Sequence, residues 1–212
     1  MIGIDDEKFI RGKAPMTKQE IRILSLAKAR IGVSDFIVDV GAGTGSLSIE
    51  AAKIAERGYV FAIDRDAEAV DIITQNAEKF SIDNIIIINA EAPDGLRNVP
   101  RIDVAFVGGS GGKLEEILNT IDAKLKSGGR IIVNCITVQT LAASLEYFKN
   151  HESYRYEAIQ VQINRMQNLG FYDMSKALNP VYIVTARKSQ RKQQSANVVS
   201  ISNAKIGSRE TE

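Results

Sequence analysis

The sequence has few of the residues that carry metal-dependent or nucleophilic hydrolytic chemistry. Its 212 residues include one cysteine, one histidine and no tryptophan. The single cysteine, Cys135, allows no disulfide within the chain, and the single histidine, His151, excludes an HExxH metalloprotease helix and makes a Ser-His-Asp triad unconvincing. Cysteine and histidine ligands are also too few for a zinc site, so we predict no bound metal.

The chain also lacks a charge excess and long apolar runs. Lys and Arg number 27 and Asp and Glu 26, which gives a formal net charge of +1. No global field is therefore available to hold a nucleic-acid backbone, and no segment approaches the roughly 20 apolar residues of a membrane span. We expect no nucleic-acid partner, no membrane insertion and, with so little cysteine, a cytoplasmic location.

What the chain does contain is an alternation of β-branched apolar runs with segments of helical periodicity. This pattern is typical of a parallel sheet covered by helices on both faces. The predicted strands are residues 36–40, 59–63, 85–88, 103–107 and 130–135. The predicted helices are residues 17–31 before the sheet, then 46–56, 67–80, 114–125 and 137–149.

Two details of these helices follow from residue spacing. In the first helix Ile21, Leu24, Ala27 and Ile31 are expected to share the buried face. Gly128-Gly129 is expected to stop the helix that begins at residue 114.

The alternation changes near the end of the chain. Residues 156–163 and 181–187 are both strand-like, so we predict an antiparallel pair at one edge of the sheet. The connection 164–180 is longer than about 12 to 15 residues, which is typical of a lid or binding loop. We predict one domain, 1–188, in which residues 1–32 cover the active site, and a polar, flexible tail, 189–212.

A glycine cluster follows the first predicted strand, at the position where open parallel sheets bind ligands. Residues 39–45 read Asp-Val-Gly-Ala-Gly-Thr-Gly, and the spacing G-x-G-x-G differs from the dinucleotide fingerprint G-x-G-x-x-G. A carboxylate such as Asp39 repels phosphate but can accept hydrogen bonds from a cationic amino group. Asp64 follows the second strand, where a carboxylate can accept both hydroxyls of a ribose, and residues 89–92 lie where an adenine edge would lie.

These features together resemble the class I S-adenosylmethionine-dependent methyltransferases. Five segments are more specifically similar to the decarboxylating precorrin methyltransferases of cobalamin biosynthesis. They are Pro-Met-Thr-Lys-Gln-Glu-Ile-Arg at 15–22, the glycine loop at 39–45, Val-Gly-Gly-Ser-Gly-Gly at 107–112, Gly-Gly-Arg-Ile-Ile-Val at 128–133, and Asn-Pro at 179–180. The resemblance runs from about residue 9 to 187 and implies a seven-stranded Rossmann-like sheet, mostly parallel, with an antiparallel edge strand.

The resemblance also implies an activity. The family methylates a bridge carbon, carbon 15, of cobalt-precorrin-6B or precorrin-6B and removes the ring C acetate carboxyl as carbon dioxide. S-adenosylmethionine would be the cofactor, S-adenosylhomocysteine the product, and the protein a homo-oligomer, commonly a tetramer. The implied cofactor contacts are Thr17, Asp39, Gly41, Ala42, Gly43, Thr44, Gly45, Asp64, Arg65, Glu91 and Ala92.

Three of these roles follow from the groups involved. The Thr17 hydroxyl would close over the cofactor, the main-chain amides of the glycine loop would bind its carboxylate, and Asp64 would accept hydrogen bonds from the ribose. Residues 108–112, four glycines and a serine, would let a broad, flat substrate approach without intervening side chains.

Substrate orientation is assigned to Lys18, Ser110, Asn134 and Arg165. Ser110 and Asn134 are expected at strand ends facing the same crevice. A substrate with several carboxylates needs local cations despite the near-zero net charge. The candidates lie in the N-terminal segment and the late loop: Arg11, Lys13, Lys18, Arg22, Arg165 and Lys176.

Two alternatives stay open from sequence. Some tRNA adenosine methyltransferases share the fold and the glycine loop, so the chain could act on RNA; it could also be a non-catalytic S-adenosylmethionine-binding scaffold. The sequence leaves undetermined whether the substrate holds cobalt, which group drives decarboxylation, and the order of the two steps.

Overall fold

A seven-stranded sheet forms the centre of the molecule. The structure is a computed structural model that describes residues 2–189. Its strand order is β3-β2-β1-β4-β5-β9-β6, and β7 and β8 form a separate two-stranded sheet. The strands are β1 (Phe36–Val40), β2 (Tyr59–Asp64), β3 (Ile85–Asn89), β4 (Ile102–Val107), β5 (Leu125–Cys135), β6 (Tyr154–Val161), β7 (Asn164–Leu169), β8 (Tyr172–Ala177) and β9 (Val181–Lys188).

Strand direction confirms the predicted α/β fold. The strands β1 to β5 pair in parallel, whereas β9 runs antiparallel to both of its neighbours, β5 and β6. The antiparallel pair lies at one edge of the sheet, as predicted. The reversed strand is β9, second from that edge, and β6 is the edge strand itself.

Five helices cover the two faces of the sheet: α1 (Gln19–Ala29), α2 (Ser46–Ile54), α3 (Ala67–Lys79), α4 (Leu114–Lys124) and α5 (Val138–Lys149). Apolar residues of α1 and α2 pack on one face, and those of α4 and α5 pack on the other. Cys135 lies fully buried in the second of these cores. No helix within residues 2–189 has the length and apolarity needed to traverse a bilayer.

Two helix details differ from the sequence prediction. Helix α1 buries Ile21, Arg22, Ser25, Leu26 and Ala29 rather than a face through Leu24 and Ala27. The difference arises because Arg22 and Ser25 have polar partners inside the protein, which a count of apolar residues does not reveal.

Helix α4 ends at Lys124, before the glycine pair that was expected to stop it. Leu125 takes an extended conformation, is 1% exposed and already pairs with Ile102. Gly128-Gly129 instead lies within β5, where the β4–β5 register shifts, and Gly128 has a φ of +80°.

The segment expected to be a long loop is a β-hairpin. Strands β7 and β8 pair from Asn164↔Ala177 to Leu169↔Tyr172, and every residue of both strands is exposed. The lid prediction for 164–180 was therefore wrong about local structure: the segment satisfies its backbone groups by pairing with itself.

A buried ion-pair network fastens the N-terminal segment to α1 and α2. The Arg22 side chain is completely buried; its Nε donates to Glu50 Oε1 at 2.6 Å and its Nη1 to Asp6 Oδ1 at 3.1 Å. The guanidinium also donates to the carbonyls of Ile4 and Thr17 and lies 4.8 Å from the ring centroid of Phe9. Arg22 is thus unavailable to a substrate, contrary to its expected place among the substrate-binding cations.

We predict that Arg22→Met lowers the free energy of unfolding by about 3–5 kcal/mol, because two buried carboxylates lose their counter-ion. Urea unfolding measures the change. The matched control is Arg97→Met, since Arg97 forms an exposed ion pair with Asp94 at 2.7 Å and should cost no more than about 1 kcal/mol. Equal small losses in both variants would contradict a structural role for the buried network.

Candidate functional site

A cavity of about 300 Å³ lies at the carboxyl ends of β1, β2, β3 and β4. We call it the glycine cavity. Of the predicted site residues, those that line it are Gly41, Gly43, Asp64, Arg65, Glu91, Ala92 and Ser110. The structure therefore brings together groups from four strand ends that are up to 69 positions apart in the sequence. Gly41 and Gly43 of the glycine loop, Asp64 at the predicted ribose position, and Glu91 and Ala92 at the predicted adenine edge all border this one cavity.

Close backbone approaches explain two of the loop glycines. Gly41 has a φ of +72°, and a Cβ there would lie 2.7 Å from the Gly109 nitrogen. Gly43 has a φ of +58°, and a Cβ there would lie 2.2 Å from the Pro15 carbonyl oxygen. Side chains at either position would force the backbone apart, so glycine is required at both.

The main-chain amides of the glycine loop are already used within the protein. Gly41 and Ala42 donate to the Ile63 carbonyl, Gly43 donates to Asp64, and the last two amides of the loop, Thr44 and Gly45, donate to the carbonyls of Pro15 and Ala42. None of the five amides is left over for the carboxylate that the sequence assigned to them. What the loop presents to the cavity is bare backbone surface rather than free donors.

Asp64 lies at the end of β2 and is held by two amides. Its Oδ2 accepts from Gly43 N at 2.9 Å, and its Oδ1 accepts from Asp66 N at 3.0 Å. A carboxylate can accept about four hydrogen bonds, so each oxygen keeps a lone pair for a further donor. The carboxylate is therefore oriented by the backbone and still able to bind hydroxyl groups in the cavity.

Asp39 lies beneath the glycine loop and does not line the cavity. It is 2% exposed and accepts a hydrogen bond from Ser48 Oγ of α2 at 2.6 Å. Burial raises the pKa of Asp39 to about 6, the Ser48 hydrogen bond opposes the rise, and the charge of Asp64 adds to it. A buried carboxyl of this kind holds β1 against α2 and does not reach a ligand in the cavity directly.

Three charged side chains form a chain across the outer wall of the cavity. Glu91 lies 2.9 Å from Lys113 Nζ and 3.5 Å from Arg65 Nη1. The Lys113 ammonium holds the pKa of Glu91 below its usual value. The Glu91 carboxylate is thus ionised, and the charges of Lys113 and Arg65 partly offset its negative charge. Its oxygens are acceptors at the end of β3.

Besides Asp39 and the loop residues Ala42, Thr44 and Gly45, four predicted residues do not line the glycine cavity. Among the described residues, the hydrogen bonds of Thr17 are made by its carbonyl, which accepts from Arg22 at 2.7 Å and from Ser46 at 3.4 Å, and not by the hydroxyl expected to close over the cofactor. Lys18 is exposed at the N-terminus of α1. Asn134 turns to the α1 face of the sheet, where its Oδ1 accepts from Ser25 Oγ at 3.0 Å, so it does not share a crevice with Ser110 as expected.

Arg165 is the fourth of these residues. It lies on β7 and forms a two-pronged ion pair with Glu20 at 2.8 and 2.9 Å. The pair ties the base of the hairpin to the first turn of α1. It also places a guanidinium beside the N-terminal segment that borders the cavity.

Asp66 lines the cavity but was not singled out from sequence, and Pro15, within the motif at 15–22, was given no role of its own there. Asp66 precedes α3 and caps it by accepting a hydrogen bond from Glu68 N at 3.0 Å. An acidic residue directly before a predicted helix indicates such an N-cap, so the sequence does carry a signal for Asp66. Pro15 reaches the cavity only because the N-terminal segment folds back over Gly43. That contact joins distant parts of the chain and leaves no local pattern.

Comparison with known proteins gives consistent results. A family model described as the precorrin methyltransferase domain matches residues 8–188. The chain is 43% identical over 190 residues to the probable cobalt-precorrin-6B C(15)-methyltransferase (decarboxylating) of Sulfurisphaera tokodaii, covering 88% of this chain and 97% of that protein.

Solved structures give the same picture. The precorrin-6y C5,15-methyltransferase of Geobacter metallireducens matches with a TM-score of 0.84 and 41% identity, covering 88% of this chain and 98% of that one. The precorrin 8W decarboxylase of Methanobacterium thermoautotrophicum matches with a TM-score of 0.82 and 37% identity, covering 86% and 98%.

The buried carboxyl of Asp39 predicts a pH dependence of stability. A raised pKa means that the folded state binds a proton more tightly than the unfolded state, so wild-type stability falls as pH rises from about 4 to about 6. Asp39→Asn removes the charge and keeps an oxygen that can accept from Ser48. We expect the variant to lack this fall and to be about 2–3 kcal/mol more stable near pH 7 by urea unfolding.

The matched variant for this test is Ser48→Ala. It removes the hydrogen bond that opposes the rise in the Asp39 pKa, so the fall in stability should still begin near pH 4 but extend to higher pH and become larger. If the free energies of unfolding of wild type and Asp39→Asn ran parallel across that pH range, ionisation of Asp39 would not destabilise the folded state, and the prediction would be wrong.

Proposed function

The chain belongs to the precorrin methyltransferase family, and we propose that it transfers a methyl group from S-adenosylmethionine to carbon 15 of cobalt-precorrin-6B or precorrin-6B, with loss of the ring C acetate carboxyl as carbon dioxide. The family match covers every element of the seven-stranded sheet. The observation that carries the proposal is this match together with a cavity walled by glycine where the sheet binds ligands.

The residues at the glycine cavity fit an adenosyl group. Asp64 keeps acceptor capacity for two ribose hydroxyls, and Glu91 with Ala92 borders the space where an adenine edge would lie. The cavity volume of about 300 Å³ falls at the lower end of the range for small-molecule sites. Gly41 and Gly43 would let the donor lie directly on main chain.

The bound donor would supply an activated methyl group, so the protein's own contribution is alignment and exclusion of water. Residues 108–111 line the side of the cavity nearest β4 and carry one side chain with a hydroxyl, Ser110. A flat macrocycle could approach that wall closely, and Ser110 would donate to one of its polar groups. No strong base is needed in the chain, which agrees with a sequence that has one histidine.

Substrate carboxylates would be met by cations around the cavity mouth. Arg165 pairs across the hairpin with Lys176, so the two cations share one face at its base. Lys18 is exposed at the start of α1, two residues before Glu20, the ion-pair partner of Arg165. We assign substrate orientation to Lys18, Ser110 and Arg165, and a structural role to Asn134 because its side chain is bonded to α1.

The direct test is mass spectrometry of a reaction containing the protein, precorrin-6B and isotopically labelled S-adenosylmethionine. We expect a product that has gained one labelled methyl group and lost one carbon dioxide.

The predicted effect of Asp64→Ala is a loss of about 1–3 kcal/mol in donor binding by calorimetry, since charge-assisted hydrogen bonds are removed. Asp71→Ala, an exposed carboxylate on α3, is the control and should bind the donor as wild type does.

Each other outcome has a distinct meaning. Donor binding without turnover of either the cobalt or the metal-free substrate would favour the scaffold alternative. A salt-dependent shift of tRNA with methyl incorporation into RNA would favour the RNA methyltransferase alternative. Unchanged donor affinity in Asp64→Ala would remove that residue from the site.

The protruding hairpin supports a homo-oligomer, which we propose to be a tetramer. Leu169, Tyr172 and Met174 lie on one face of the β7–β8 ribbon and are 55%, 74% and 55% exposed. Phe171 at the turn is fully exposed. A two-stranded ribbon is marginally stable alone, so packing of this apolar face against another copy would stabilise it.

The hairpin prediction is tested with Leu169→Asp/Met174→Asp. Two charges on the apolar face should dissociate the assembly to smaller species, because burying them against another copy costs free energy. Light scattering coupled to gel filtration gives the mass. Ser175→Asp places a charge on the opposite face of the ribbon and should leave the mass unchanged. A wild-type monomer, or equal masses for the apolar-face variant and wild type, would contradict the proposal.

A further inference from the structure

A second concave surface lies at the opposite end of the sheet from the glycine cavity. It is formed between the C-terminal end of α1 and strands β5, β6 and β9, with a volume of about 710 Å³. Five of its lining side chains are cationic and one is acidic: Lys28, Arg30, Arg130, Arg155 and Arg187, with Glu157. We call this surface the basic groove.

Strand direction separates the two sites. The glycine cavity is at the carboxyl ends of the parallel strands, whereas Arg130, at the middle of β5, pairs with Val104 in the first half of β4. From Arg130 to the end of β5 at Cys135 is about 16 Å at the rise of an extended strand. The basic groove is therefore not an extension of the site for the methyl donor.

Three arginines occupy a single rung of the sheet in the basic groove. Arg130 of β5 is directly opposite Arg187 of β9, and Arg187 is directly opposite Arg155 of β6. Residues paired in this way point to the same face, with neighbouring Cβ atoms about 5 Å apart. Like charges directly opposite each other destabilise a sheet, so this rung is costly unless its charge is compensated.

Compensation within the described residues is incomplete. Arg130 is fully engaged, because it contacts Asp35 at 2.7 Å and the carbonyls of Ala29 and Arg30 at 2.8 and 2.9 Å. Glu157 is taken by Lys28 at 2.5 Å. Within residues 2–189, the guanidinium groups of Arg30, Arg155 and Arg187 form no ion pair or hydrogen bond.

A hydroxyl in the next rung is also left without a partner. Thr185 lies two residues before Arg187 on the same face of β9 and lines the basic groove; its Oγ1 is buried and has no hydrogen-bond partner among residues 2–189. A buried hydroxyl without a partner is uncommon and marks a place where a polar atom from a ligand or water fits. The groove thus offers three uncommitted guanidinium groups and has a buried, unpartnered hydroxyl beside them.

We propose that the basic groove binds a compact small-molecule polyanion with about three negative charges, of the diphosphate, triphosphate or tricarboxylate class. Guanidinium forks match phosphate and carboxylate oxygens with two parallel hydrogen bonds, and three uncommitted arginines call for an anion of that charge. Nucleic acid fits less well, because the one aromatic residue at the groove, Tyr156, packs toward Phe148 on the other face of the sheet.

The proposal is tested on the full chain by thermal unfolding and calorimetry with inorganic pyrophosphate, tripolyphosphate and citrate. Sodium chloride keeps the ionic strength constant throughout. We expect a saturable rise in the unfolding midpoint, and the order of the three anions distinguishes phosphate from carboxylate ligands. Arg187→Gln, at the centre of the rung, should weaken the preferred anion about tenfold or more.

The same variant gives an independent readout. Without any anion, Arg187→Gln should unfold at a midpoint equal to or above that of wild type, because it removes repulsion within the rung. Arg57→Gln changes an exposed arginine outside the groove and should leave both the midpoint and the anion response as in wild type.

Two results would overturn the proposal. One is a wild-type response to all three anions no larger than the response to sodium chloride of equal ionic strength. The other is an undiminished anion response in Arg187→Gln. Both readouts are independent of methyl transfer, so neither result depends on the proposed activity.

Discussion

The contact on which the rest of the site depends is the buried guanidinium of Arg22. It joins α1 to Glu50 of α2 and to Asp6 of the N-terminal segment, so three separate parts of the chain are fixed by one side chain. Removing a cation and two carboxylates from water costs free energy, and this cost is offset only while every partner is in place. The N-terminal segment is therefore held in one position rather than sampling many.

That fixed position shapes the glycine cavity. The Pro15 carbonyl accepts from Thr44 N at 3.1 Å and covers Gly43, while Asn76 of α3 binds both the Ile10 backbone and the Thr44 carbonyl. Because the loop amides are satisfied in this way, the loop is rigid before any ligand arrives. A methyl donor would meet a preformed surface with one oriented carboxylate, Asp64, and methyl transfer gains most from such alignment.

Sequence patterns predicted the sheet well because each strand and helix carries its own periodicity. The glycine loop and Asp64 could also be placed, since the ends of parallel strands must meet at one edge. Arg22 could not: in the sequence it is one cation among several near the N-terminus, and only contacts with Asp6 and Glu50 distinguish it. The hairpin and the burial of Asn134 were missed for the same reason, because they depend on what each segment packs against.

The basic groove shows how little a net charge says about local fields. Nearly equal numbers of cations and anions predict that the molecule has no global field and that any basic site must be local. Strand register decides where such a site forms: Arg130, Arg187 and Arg155 are far apart in the sequence, yet the antiparallel pairing of β9 places them side by side. Meanwhile two carboxylates are sequestered around Arg22 at the other end of α1. Charge that is balanced over the chain is thus separated by the fold, and a localised cationic surface results.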